Sequence, residues 1–122
     1  MQPSIVKVVE TLLEGTKNGT IEWEPTHRKT EFRTRMGAAA ITVDKWDWTN
    51  EYTDDSVTSA DITIYNKEGE KIDTCVADAG PDFRALSDLH EVVRRKVLKV
   101  DETLATLLQE LEGKVTGSRK SQ

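Results

Sequence analysis

The stretch Ala60 to Ala79, ADITIYNKEGEKIDTCVADA, holds two short runs of alternating apolar and polar residues around a polar link that contains Gly69. Ile62 and Ile64 alternate with Asp61, Thr63 and Tyr65. Ile72, Thr74 and Val76 alternate with Lys71, Asp73 and Cys75. Successive side chains of a strand point to opposite faces, so this pattern predicts a β-hairpin with strands Val57 to Tyr65 and Lys71 to Ala77. The chain before it can supply strands to the same sheet, and the chain after it reads as helix.

Residues 4–15 place Ile5, Val9 and Leu12 at helical spacing behind Pro3, which suits a first helical turn. Thr20 to Glu24 reads as a short strand that Pro25 ends, and 26–29 as a loop. In Thr30 to Met36 the side chains of Phe32, Thr34 and Met36 alternate with those of Glu31, Arg33 and Arg35. Ile41 to Val43 continues into Trp46-Asp47-Trp48, again with period two. Asn50 to Ser56 is acidic and turn-rich. After Gly80-Pro81, Phe83, Leu86, Leu89, Val93 and Val97 recur at helical steps. A second helix opens at Asp101 and carries Leu104, Leu107, Leu108 and Leu111 before Gly113.

The expected fold is therefore α+β: an N-terminal helix, an antiparallel meander of about five strands and two C-terminal helices packed on the sheet. A single domain is expected over 1–113, with 114–122 as a frayed, flexible polar tail. This element order is met in small bacterial and phage proteins and implies no activity.

The chain of 122 residues has a net charge of −5, which favours solubility and opposes a nucleic-acid binder that uses its whole surface. A lone Cys75 excludes an internal disulfide and a cysteine-based metal cluster. No run reaches the ~18 apolar residues of a membrane span, and the N-terminus lacks the pattern of a secretory signal. The expected location is the cytoplasm.

No phosphate-binding loop, dinucleotide fingerprint, HExxH or GxSxG motif is present. Of the two histidines, His27 reads as an exposed loop residue and His90 as a helix-flank residue. Catalysis is not expected, nor is a metal or a cofactor.

The informative feature is segregated charge. Arg28, Lys29, Arg33 and Arg35 face only Glu31 within 27–35, whereas 44–61 sets Asp44, Asp47, Glu51, Asp54, Asp55 and Asp61 against Lys45 alone. Mutual neutralisation across neighbouring strands is the plain account of the two patches, and solvated loop charge that of the acidic one. The functional account is a basic strand that receives an acidic protein surface, a phosphate or nucleic acid. Trp23, Trp46 and Trp48 fit a core between helix and sheet; Trp46 and Trp48, with Tyr52 nearby, also fit an interface. The expected binding residues are thus Arg28, Lys29, Arg33, Arg35, Trp46, Trp48 and Tyr52. The favoured function is a small non-catalytic binding or adaptor protein acting through protein contact. Self-association through the Leu104–Leu111 helix joins this class if its leucines are not all covered. The alternative is a nucleotide or single-stranded nucleic-acid binder with stacking tryptophans.

Overall fold

In the computed structural model, which describes residues 1–120, the elements run α1 (Pro3–Lys17), β1 (Glu24–Pro25), β2 (Phe32–Arg35), β3 (Ala39–Thr49), β4 (Ser56–Asn66), β5 (Lys71–Ala77), α2 (Gly80–Val97) and α3 (Val100–Lys120). The five strands form one antiparallel sheet in chain order, the meander that the alternating runs predict. The long β3–β4 pair sets Ile41 opposite Ile64, Val43 opposite Ile62 and Asp44 opposite Asp61. Strand β5 pairs with the other edge of β4, with a bulge at Ile64/Tyr65.

One face of the sheet presents Phe32, Ile41, Val43, Ala60 and Ile62 to the helices. Ile5, Val9 and Leu12 of α1 and Leu86, Leu89 and Val93 of α2 close the core over them. Each large side chain buried here contributes ~1.5–3 kcal/mol. Helix α2 lies across β3, β4 and β5 and beside α1. It opens with Pro81 in its first turn, and near its other end Arg94 and Arg95 both pair with Glu91 on the same helix. Cys75 sits half-buried against the core, where burial pushes its thiol up from the usual range and makes it a poor nucleophile.

Three expectations are corrected. The strand expected over Thr20 to Glu24 shrinks to Glu24–Pro25. The backbone N–H groups of Thr20 and Ile21 are engaged by the Gly15 carbonyl at the end of α1, at 2.9 and 3.1 Å. Those residues finish the helix and are not free to enter a ladder. His90 is not a flank residue but is buried, its ring centre 5.5 Å from that of Phe32. Its Nε2–H donates to the Thr30 carbonyl at 2.6 Å, and burial lowers its pKa, which favours the neutral ring. Finally, the last helix does not stop at Gly113 but runs to Lys120. A glycine inside a helix costs only about 1 kcal/mol, and no proline follows to break it. Residues 121 and 122 of the expected tail lie outside the described residues.

Among the described residues no helix is long and apolar enough to cross a membrane.

Candidate binding face

The helices cover one face of the sheet and leave the other, the open face, without a helix, although Thr42, Asp44, Ser59 and Thr63 in its middle are buried. Alternation and register assign the open face residue by residue. One row runs Glu24, Arg33, Thr42, Thr63, Thr74; the next towards the centre pairs Asp44 with Asp61; beyond it come Trp46 beside Ser59 and Trp48 beside Val57. Strand β3 is the spine of this face, with a basic end, an acidic middle and an aromatic end.

At the basic end the sheet and the loop 26–31 enclose a cleft of about 570 Å³, lined among others by His27, Glu31, Arg33, Arg35, Thr42 and Tyr65. Arg33 Nε and Arg35 Nε both donate to the same oxygen, Glu24 Oε1, at 2.9 and 3.1 Å. These contacts, the Arg33 hydrogen bond foremost, hold the Glu24 carboxyl below the usual range. Two guanidinium groups thus share one carboxylate, while the other acid on the cleft, Glu31, is engaged by the Thr26 hydroxyl at 2.9 Å, and Lys67 adds a further positive charge to the lining. A carboxylate or phosphate is the group that such a guanidinium pair binds in planar, charge-assisted fashion.

The solvation expected of the acidic stretch fails for Asp44 and Asp61: on their strands they lie directly across from each other, with Asp44 fully buried and Asp61 half-buried. Arg28 reaches over from the loop, with its Nη2 2.8 Å from Asp44 Oδ2 but off the hydrogen-bond axis, so charge alone holds this contact. Asp44 Oδ1 accepts the backbone N–H of Lys45 at 2.8 Å. Asp61 Oδ1 is enclosed with no hydrogen-bond partner among the described residues. Burial first, then the negative charge of Asp44 and Glu31, raise its pKa to about 6, against the pull of Arg28 and Lys71. Among the described residues no third ligand joins the pair into a metal site.

At the aromatic end Trp48 is 40% exposed and donates its indole N–H to Ser59 Oγ at 2.8 Å. Trp46 is half-buried on the same face by alternation. A place between helix and sheet holds only for Trp23, which packs against the core and donates its N–H to Thr16 Oγ1 at 2.9 Å.

The expected binding residues therefore separate into groups. Arg33 and Arg35 share the cleft, and Arg28 stands over Asp44 on the same face. Lys29 is exposed in the loop beside it. Trp46 lies four residues along β3 from Thr42, ~13 Å from the Arg33 row at the strand rise. Tyr52 is almost entirely exposed in the β3–β4 turn, beyond the end of the sheet. The aromatic ring that does accompany the arginines is Tyr65, opposite Ala40, which the sequence reading passed over. Alternation alone puts Tyr65 on the side away from Ile62 and Ile64, and that signal was available. Its closeness to Arg35 needed the β2–β3–β4 register.

Compared with protein families, with curated proteins and with solved structures, the chain matches none.

Proposed function

We propose that this chain is a small non-catalytic binding or adaptor protein whose open sheet face receives a protein partner, with an acidic segment of that partner in the cleft beside Arg33 and Arg35. The observation that carries this reading is the shared carboxylate. Two arginines at one cleft mouth share Glu24, and with Lys67 they outnumber Glu24 and Glu31 there, in a chain whose net charge is −5. A locally positive cleft on an otherwise acidic protein selects for opposite charge and rejects like charge. Trp48, Ile72 and Val76 leave apolar surface in solvent on or beside the same face, which supports contact with a protein more than with a small ion.

A second reading has one specific observation behind it: Tyr65 lines the cleft that holds both arginines. A nucleotide or single strand of nucleic acid would stack there and place phosphate on the guanidiniums. Trp46 and Trp48 are too far along β3 for the stacking role first expected of them.

A photo-crosslinking side chain placed at Tyr65 and activated in the source cells separates the two. A protein-sized adduct that disappears when Arg33 and Arg35 are both changed to Ala supports the protein reading. A nucleic-acid adduct transfers the cleft to the second reading. No adduct of either kind, from a protein whose circular dichroism is unchanged, refutes both.

A further inference from the structure

Among the described residues nothing covers helix α3. Every residue from Asp101 to Gly117 is exposed, including Leu104, Leu107, Leu108, Leu111 and Val115, each with close to half of its surface in solvent. The substantial contacts of α3 with the rest of the molecule are with α2 alone. Lys99, with a left-handed φ of 53°, makes the corner between the two helices, and the Arg95–Asp101 ion pair at 2.8 Å fastens it. The helix is thus held away from the sheet rather than laid on it. Intrinsic propensity does not hold it either. Helices in proteins draw most of their stability from packing of an apolar face, and Gly113 and Gly117 each cost about 1 kcal/mol here. Both glycines have open space around them, so neither serves a close approach within the chain.

The apolar residues are not scattered. Leu104, Leu108, Leu111 and Val115 are spaced four, three and four apart, the d-a-d-a order of a coiled-coil seam. The charges are ordered along the same helix. Asp101 and Glu102 open it, Glu110 and Glu112 follow, and Lys114, Arg119 and Lys120 are the only charges after them.

We propose that α3 pairs with α3 of a second copy of this chain as an antiparallel two-helix coiled coil. Reversing one helix sets Leu104 against Val115 of the second copy and Leu108 against its Leu111. Two-fold symmetry then repeats both layers. The acidic start of each helix runs beside the basic end of the other, and the helix dipoles oppose. Lys114 of one copy flanks Leu107 of the other, where its aliphatic stem covers the leucine that stands just off the seam. A parallel pair would instead set Asp101, an a position of the same heptads, against its own copy and bring the two acidic helix starts together. The charge order along α3 is self-complementary in one orientation only, and this selects the second copy as occupant. The pairing uses no residue of the open sheet face, so it stands or falls apart from the function proposed above.

Sedimentation equilibrium of the full chain, from micromolar to near-millimolar concentration, is expected to return a dimer. Changing Leu108→Lys and Leu111→Lys together is expected to raise the dissociation constant at least about tenfold, as loss of a central apolar anchor does. The near-UV circular dichroism of the tryptophans should stay unchanged, because both leucines face solvent in the single chain. Orientation is read by disulfide trapping in a Cys75→Ser background. Leu104→Cys protein mixed with Val115→Cys protein is expected to form the mixed disulfide, and neither alone to cross-link efficiently. A monomer at every concentration, a dimer indifferent to the two lysines, or ready coupling of Leu104→Cys to itself would overturn the proposal.

Discussion

Replacing Asp61 with Asn should make the protein more stable near neutral pH. Asp61 lies across the sheet from Asp44 and close to Glu31, half-buried, with one carboxylate oxygen unpaired. The folded protein therefore raises its pKa from 3.8 to about 6. Between those two values the folded state binds the Asp61 proton more tightly than the unfolded chain does. Stability consequently falls as pH rises from about 4 to about 6, and the full penalty is present above that range. A shift of about two units at 1.36 kcal/mol each gives an upper figure of ~3 kcal/mol. Asp61 is only half-buried, and screening by the solvent that reaches it lowers this to ~1–2 kcal/mol. Asn keeps the shape, carries no charge at any pH and brings an N–H donor towards the Asp44 carboxylate. Urea unfolding followed by tryptophan fluorescence over a pH series is the assay. At about pH 7.5 the variant's midpoint should lie higher by ~0.5–1 M, taking a slope of ~1–3 kcal/mol per molar urea for a chain of this size. The gap should narrow as the pH approaches 4. A variant no more stable than the parent near neutrality, or a gap that does not change with pH, would refute the placement of an unfavourable charge at this position. The comparison must be between proteins at matched pH, because His90 pulls the parent's profile the other way.

Burial at His90 and Thr16 leads to two other outcomes. Burial lowers the His90 pKa, so the folded state binds that proton less readily than the unfolded chain; the stability it contributes is complete above about pH 6.5 and is lost as pH falls through the folded value. In His90→Gln the acid-side decline of the melting temperature should be shallower than in the parent, and an identical slope would argue that another group sets it. Thr16→Val should cost ~1–2 kcal/mol in the same urea assay, since Thr16 Oγ1 both accepts from the Trp23 indole and donates to the Leu12 carbonyl at 2.6 Å; an unchanged midpoint would mean that water takes over the indole N–H.

Much of the architecture is written in local patterns. Strand β5 occupies the residues that its alternation marks, and β4 departs from them by one residue at each end. There the hydrophobic period and the covered face agree. The failures occur where a neighbour decides. Glu22 and Trp23 sit in a run that alternates correctly, yet Thr34 Oγ1 takes the Glu22 carbonyl at 2.8 Å, in place of a ladder partner. Alternation cannot report that substitution. The binding face shows the same division. That Arg33 and Arg35 share a face is visible in the sequence. That Glu24 stands between them depends on the register of a two-residue strand. Asp44 and Asp61 are separated by a long acidic stretch, and their confrontation comes from the β3–β4 register, which neither strand's own alternation reveals.

The position of α3 bears on what the open face can do. Helix α2 lies against the covered face of the sheet, and α3 leaves from the far end of α2. Pairing through the Leu104, Leu108, Leu111 and Val115 seam therefore occupies none of the residues around the Arg33–Arg35 cleft. A dimer built this way displays two clefts, related by the two-fold axis of the helical pair. A partner carrying two acidic segments would engage the second cleft from an already bound state, with an effective concentration set by the spacer between its segments. Such a partner should lose far more apparent affinity from Leu108→Lys with Leu111→Lys than a partner with one segment does, although neither substitution touches the cleft. Equal losses for both partners would show that α3 contributes contacts to binding directly, and the two surfaces would then have to be treated as one.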